Sequence, residues 1–212
     1  MNEETINKAQ LRGIQYWFED GLAEIGTGSL FLLLGLYFYL QATLEKGFLA
    51  ELLGGAFILI FLGGWYLSGR FVRTVKERIT FPRTGYVAYQ RNKNSKKPLR
   101  LALTLIMGAF FSSALIMLVS KRPLGMDIMP IANGLTIALV FELMGFRTGL
   151  PRLYLPAAIG LLCGLGLSLN GTGNIIGVAL DYMATALTLI VSGIFVLRHY
   201  LNANPAPAQA QQ

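Results

Sequence analysis

Three polar side chains, Asp181, Asn133 and Glu142, sit inside apolar runs where few such groups belong. Asp181 lies six residues into a run beginning at Ile175, and Glu142 lies four residues before the end of a run closing at Phe146. At about 1.5 Å per helical residue these are depths of roughly 9 and 6 Å. An ionisable group inside a bilayer costs about 2.5–3.5 kcal/mol unless it is partnered. The two acids enter from opposite ends, so they fall in opposite leaflets and are not expected to pair. Asn133 has nearly the depth of Asp181 and is its expected neighbour.

Two chemistries fit these residues. One is a polar track for a proton, an ion or a small solute, with Thr136, Ser112, Ser113, Thr185 and Thr188 between the two layers. The other is structural: the groups satisfy one another or snorkel to the nearer interface, and the hydroxyls bond backward to helix carbonyls. Glu142, shallow and within reach of Arg147, Arg152, Arg198 and His199, fits the second. Asp181 divides evenly between them, and Glu24 is placed at the interface.

The same inventory argues against catalysis. A single histidine, His199, and a single cysteine, Cys163, leave no histidine-based zinc site and no intramolecular disulfide. The carboxylates form no acid/base pair, and no glycine pair completes a phosphate-binding loop. The expectation is a protein that is not an enzyme and holds no metal or cofactor.

These residues have to be held by membrane spans. Hydrophobic residues make up 54% of the 212 and charged ones only 14%, too apolar for an ordinary soluble domain. Six apolar runs approach the length of about 20 residues that crosses a bilayer: Ile25–Thr43, Phe48–Gly69, Leu101–Ser120, Ile128–Phe146, Leu153–Leu169 and Ile175–Leu197. The fifth is shortest, and if it failed to cross, the C-terminus would move to the outside. Residues 1–24 read as an interfacial segment with Tyr16 and Trp17 at headgroup depth, and 202–212 as a disordered tail.

Charge orients the spans. Residues 70–100 carry ten of the eighteen Lys and Arg residues against one acid, Glu77. With both termini cytoplasmic, only Lys46, Lys121 and Arg122 fall outside. The expected architecture is all-α: six transmembrane helices as three antiparallel hairpins in a bacterial cell membrane. Within the cytoplasmic loop, Ile79-Thr80-Phe81 and Tyr86-Val87-Ala88-Tyr89 flank Pro82-Arg83-Thr84-Gly85 and predict a small β-hairpin. A lysine-rich linker, Gln90 to Pro98, follows.

Partners are read from the same charge. Arg83, Arg91, Lys93, Lys96 and Lys97 are candidate contacts for anionic lipid headgroups or an acidic protein. Nucleic acid ranks behind both because no reader motif accompanies the charge. Gly54-Gly55, Gly63-Gly64 and Gly160-x-x-x-Gly164 suit close helix packing within the chain, with homodimerisation or a substrate cavity as the alternatives. The runs Tyr16–Ile25 and Phe81–Val87 resemble pieces of small bacterial membrane proteins, a likeness that implies no activity. Function is divided between a membrane interaction or accessory protein and a small solute or proton-coupled transporter using Asp181 and Glu142.

Overall fold

A computed structural model describes residues 17–44, 47–84, 128–172 and 174–205, and among these it is helical throughout, without strands. The helices are α1 (Leu22–Thr43), α2 (Phe48–Gly55), α3 (Phe57–Val75), α4 (Phe81–Thr84), α5 (Met129–Thr148), α6 (Tyr154–Leu169) and α7 (Ile175–Ala203). A π-helical turn, Lys76–Thr80, joins α3 to α4, and a 3-10 turn, Pro151–Leu153, leads into α6. Among the described residues, four stretches are long and apolar enough to cross a membrane: Leu22–Thr43, Met129–Phe146, Pro151–Leu169 and Ile175–Ala203. Phe48–Gly55 with Phe57–Arg83 makes a fifth if a bent pair counts as one span. The expected third span, Leu101–Ser120, lies outside the described residues, as do Tyr86–Tyr89, the Gln90–Pro98 linker and most of the tail.

Two local expectations are corrected. The second span is not one straight helix: it bends by 53° at Ala56, directly after Gly54-Gly55. Paired glycines lower helix propensity where the chain must kink, and the Leu53 carbonyl there accepts both the Ala56 N–H at 3.2 Å and the Tyr37 hydroxyl at 3.3 Å. The first strand of the expected hairpin is helical as well, since Ile79 and Thr80 belong to the π-helical turn and Phe81 opens α4. Tertiary bonding overrides β-propensity here: Lys76 and Thr80, four apart, both reach Asp20, and a helix brings that spacing onto one face.

Helix α7 is the centre of the bundle, packed on α1, α5 and α6, while α3 packs on the outer side of α1. The most extensive interfaces are α1 with α7 and α5 with α6, neither of which is an expected hairpin. Small residues explain the first. Gly21, Gly28 and Gly35, each seven apart on α1 or at its start, meet Gly193, Ala186 and Ala179, each seven apart on α7. A Cβ on Gly28 or Gly35 would stand 3.0 Å from the carbonyl oxygen of Ala186 or Ala179. The backbones therefore touch, as small residues permit between membrane helices. Between α5 and α6, Gly134 meets the Gly160 carbonyl and Gly164 the Pro130 carbonyl, so the Gly160-x-x-x-Gly164 pair packs within the chain.

Larger side chains fill what remains. Ile137, Phe141, Leu153, Ala157 and Leu189 form the buried cluster. Rings then run from α5 to α3 through Phe141, Phe31, Tyr182, Phe38 and Phe57, neighbours 5.4–5.9 Å apart between centroids.

The helix ends are capped locally. Gly149, at φ 68°, closes α5 by donating its N–H to Gly145, and Asn174 Oδ1 accepts the Ile176 N–H to open α7. The start of α1 and the ends of α3, α5 and α7 gather at one end of the bundle. We call it the basic end.

Candidate functional site

Helices α5 and α7 bring Asn133 and Asp181 together. Asn133 Nδ2 donates to Asp181 Oδ2 at 2.8 Å, and Asp181 is fully buried. Among the described residues its second oxygen, Oδ1, has no hydrogen-bond partner, and neither does the equally buried Thr185 Oγ1 one turn further along α7. Thr185 departs from its neighbours in this. Thr136 and Thr188 donate to the carbonyls four residues back, at 2.8 and 2.9 Å, as helical hydroxyls commonly do. Thr185 Oγ1 instead lies toward α6, where a Cβ on Gly160 would come within 3.2 Å.

Glu142 takes no part in this pair. It is exposed on α5, nine residues along from Asn133, and Arg152, one of its expected partners, is engaged by Glu24. Ser112 and Ser113 lie outside the described residues. Asp181, Asn133 and Glu142 are therefore one contact and one separate surface acid.

The basic end holds a second polar cluster that sequence reasoning missed. Asp20 sits just before Gly21, whose φ of 71° turns the chain into α1. Asp20 Oδ1 accepts the Leu22 N–H at 3.1 Å and so satisfies the first N–H of the helix. Its Oδ2 accepts from Lys76 Nζ at 2.6 Å and from Thr80 Oγ1 at 2.9 Å. Lys76 is only 2% exposed, yet it also donates to the Trp17 carbonyl at 2.8 Å and lies 4.7 Å from the centre of the Trp17 ring. A buried cation thus has a carboxylate, a carbonyl and a π face.

One turn into α1, Glu24 lies at this same end and is only 2% exposed, buried among protein side chains. Ser192 of α7 donates to Oε2 at 3.2 Å, and Arg152 Nε stands 2.7 Å from Oε1. That N–H does not align as a hydrogen bond, so the Arg152–Glu24 contact is Coulombic. Arg152 Nη2 donates to the Phe18 carbonyl. The two pairs fasten residues 17–24 to α3 on one side and to the start of α6 on the other. A local signal existed in Asp20-Gly21 ahead of an apolar run, but the partners are distant in sequence.

Of the expected lipid or partner contacts, Arg83 alone is described. Its guanidinium donates to the carbonyls of Asn204 and Leu201 at 2.9 and 3.4 Å, closing the end of α7. Arg91, Lys93, Lys96 and Lys97 lie outside the described residues. Arg70, Arg73, Arg78 and Arg198 are exposed. Arranged this way, the clusters hold helix ends and leave cations facing outward.

A scan of family models finds no match, and no curated protein or solved structure compared with the chain matches it.

Proposed function

We propose that this chain is a non-enzymatic, multi-pass membrane interaction or accessory protein whose basic end faces the cytoplasm and meets anionic lipid or an acidic partner. One observation carries the reading: the eight Lys and Arg residues among the described positions all gather at one end of the bundle. Four of them, Lys76, Arg83, Arg147 and Arg152, are at or near helix ends or turns, and the others point outward from α3, the π-helical turn or α7. The positive-inside bias places such an end in the cytoplasm, and each cation near an anionic surface contributes about 1 kcal/mol of attraction. The helical continuation from α3 through Thr84 presents this charge on a rigid element. The test is hydrogen exchange of residues 76–84 in nanodiscs with and without anionic lipid. Protection that grows with anionic lipid and fades with salt is expected; exchange indifferent to both would end the reading.

A second reading, a small proton- or ion-coupled carrier, is favoured by two oxygens, Asp181 Oδ1 and Thr185 Oγ1, that are buried one turn apart on α7 with no hydrogen-bond partner among the described residues. A bound proton or cation would give both a partner. Its test is a pH-gradient flux assay in proteoliposomes. Flux in the parent that Asp181→Asn abolishes supports the carrier; no flux in the parent removes it.

A further inference from the structure

We propose that a recess between Trp17 and the basic end of α3 is a binding site for the phosphodiester headgroup of an anionic phospholipid, a proposal that rests on the lipid-facing reading above. The recess measures about 520 Å³ and is lined by Trp17, Trp65, Tyr66, Arg70, Arg73 and Glu77, among others. That volume falls within the roughly 300–1,000 Å³ usual for small-ligand sites.

Charge favours an anion there. Arg70 and Arg73, three apart, share one helical face. Among the described residues neither has a carboxylate within ion-pair distance, and Asp20 and Glu24 are engaged by Lys76 and Arg152. Arg70 Nη1 has the Tyr66 hydroxyl at 3.3 Å as its contact. Glu77 is the one carboxylate of the lining, which leaves a single net positive charge, the complement of a phosphodiester.

The wall opposite α3 is built by tertiary contact. Lys76, buried against Asp20, donates to the Trp17 carbonyl and faces its ring, so the indole is fixed across from the two arginines.

Depth and polarity select a lipid over free phosphate. Trp65 and Tyr66, both more than 60% exposed, lie where amphipathic rings mark the headgroup level. One turn toward the apolar side, Leu62 and Leu59 are likewise exposed and continue the same helix into the hydrocarbon region. A ligand seated here meets cations at its phosphate and apolar surface below it.

The chain reports on this site by itself, since its two tryptophans, Trp17 and Trp65, both line the recess. The full chain is reconstituted in phosphatidylcholine vesicles doped with brominated-chain phosphatidylglycerol or brominated-chain phosphatidylcholine, and tryptophan quenching is read. Half-maximal quenching is expected at about tenfold lower mole fraction of the anionic lipid. Arg73→Gln should cut that preference several-fold and Arg70→Gln/Arg73→Gln should erase it, while Arg198→Gln, which removes one charge elsewhere, should keep it. Equal quenching by both lipids in the parent would overturn the site, and so would a preference that survives the double variant. If the double variant does not fold, the comparison of lipids in the parent still decides. Displacement of the anionic lipid by millimolar inorganic phosphate would also overturn the assignment to lipid. Salt-sensitive protection of residues 76–84 combined with equal quenching would remove the site and leave the proposed function standing.

Discussion

The basic end and the α5–α7 contact solve one problem in two ways. At the basic end, Asp20 and Glu24 are buried beside full cations, Lys76 and Arg152. Deeper in the bundle, Asp181 is as thoroughly buried, but its hydrogen-bond partner among the described residues is the amide of Asn133. Cations are available where a helix leaves the apolar region and unavailable where it does not, so depth decides the partner. A neighbouring charge can balance an ionised carboxylate, whereas an amide can satisfy only part of its hydrogen-bonding capacity. That difference fits the tied-off oxygens of Asp20 and the orphaned Oδ1 of Asp181.

The comparison is broken most strongly at Lys76. Lys76→Met leaves Asp20 buried and uncompensated, and should cost about 3–5 kcal/mol. Adding Asp20→Asn should restore much of that loss. Unfolding of parent, single and double variants in detergent checks it; a Lys76→Met protein as stable as the parent would mean that the pair contributes nothing.

Arg152→Gln tests the other pair and should have a smaller effect, about 2 kcal/mol. Arg152 is a quarter exposed, so water already shares in stabilising it, and Ser192 still donates to Glu24. A cost equal to that of Lys76→Met in the same assay would contradict the ranking.

Asp181 gives the smallest changes. Asp181→Leu removes the Asn133 contact and should cost about 0.6–2 kcal/mol, the scale of an interhelical hydrogen bond in a membrane. Asp181→Asn keeps shape and a hydrogen bond and should leave the unfolding midpoint nearly unchanged. Destabilisation by Asn as large as by Leu would point to a need for the carboxyl group itself.

How far the sequence spoke depended on how local each signal was. Helices over Leu22–Thr43, Met129–Phe146, Pro151–Leu169 and Ile175–Ala203 were legible because an apolar run of span length suffices to suggest one. The Asn133–Asp181 contact was legible from matched depth alone. The burial of Glu24 was not legible because its partners, Arg152 and Ser192, lie more than 120 residues away and α1 gives no hint of them. Ile79-Thr80-Phe81 misled because β-prone residues before Pro-x-x-Gly mimic a strand, while the anchor that makes them helical is the distant Asp20. The spacing of Gly21, Gly28 and Gly35 was present in the sequence, but it acquires meaning only beside the matching spacing of Ala179, Ala186 and Gly193.

That matched spacing bears on how the protein is made. Glu24 and Ser192, which meet beside it, are 168 residues apart. At synthesis rates of about 5–20 residues per second, α1 waits roughly 10–30 s for the helix that covers its glycine face. Helix α3 emerges early and packs on the other flank of α1, through Gly26 and Gly64, without occupying that face. Among the described helices, the glycine face of α1 therefore waits for α7, whose matching small residues it fits, rather than for the neighbour that follows it in sequence.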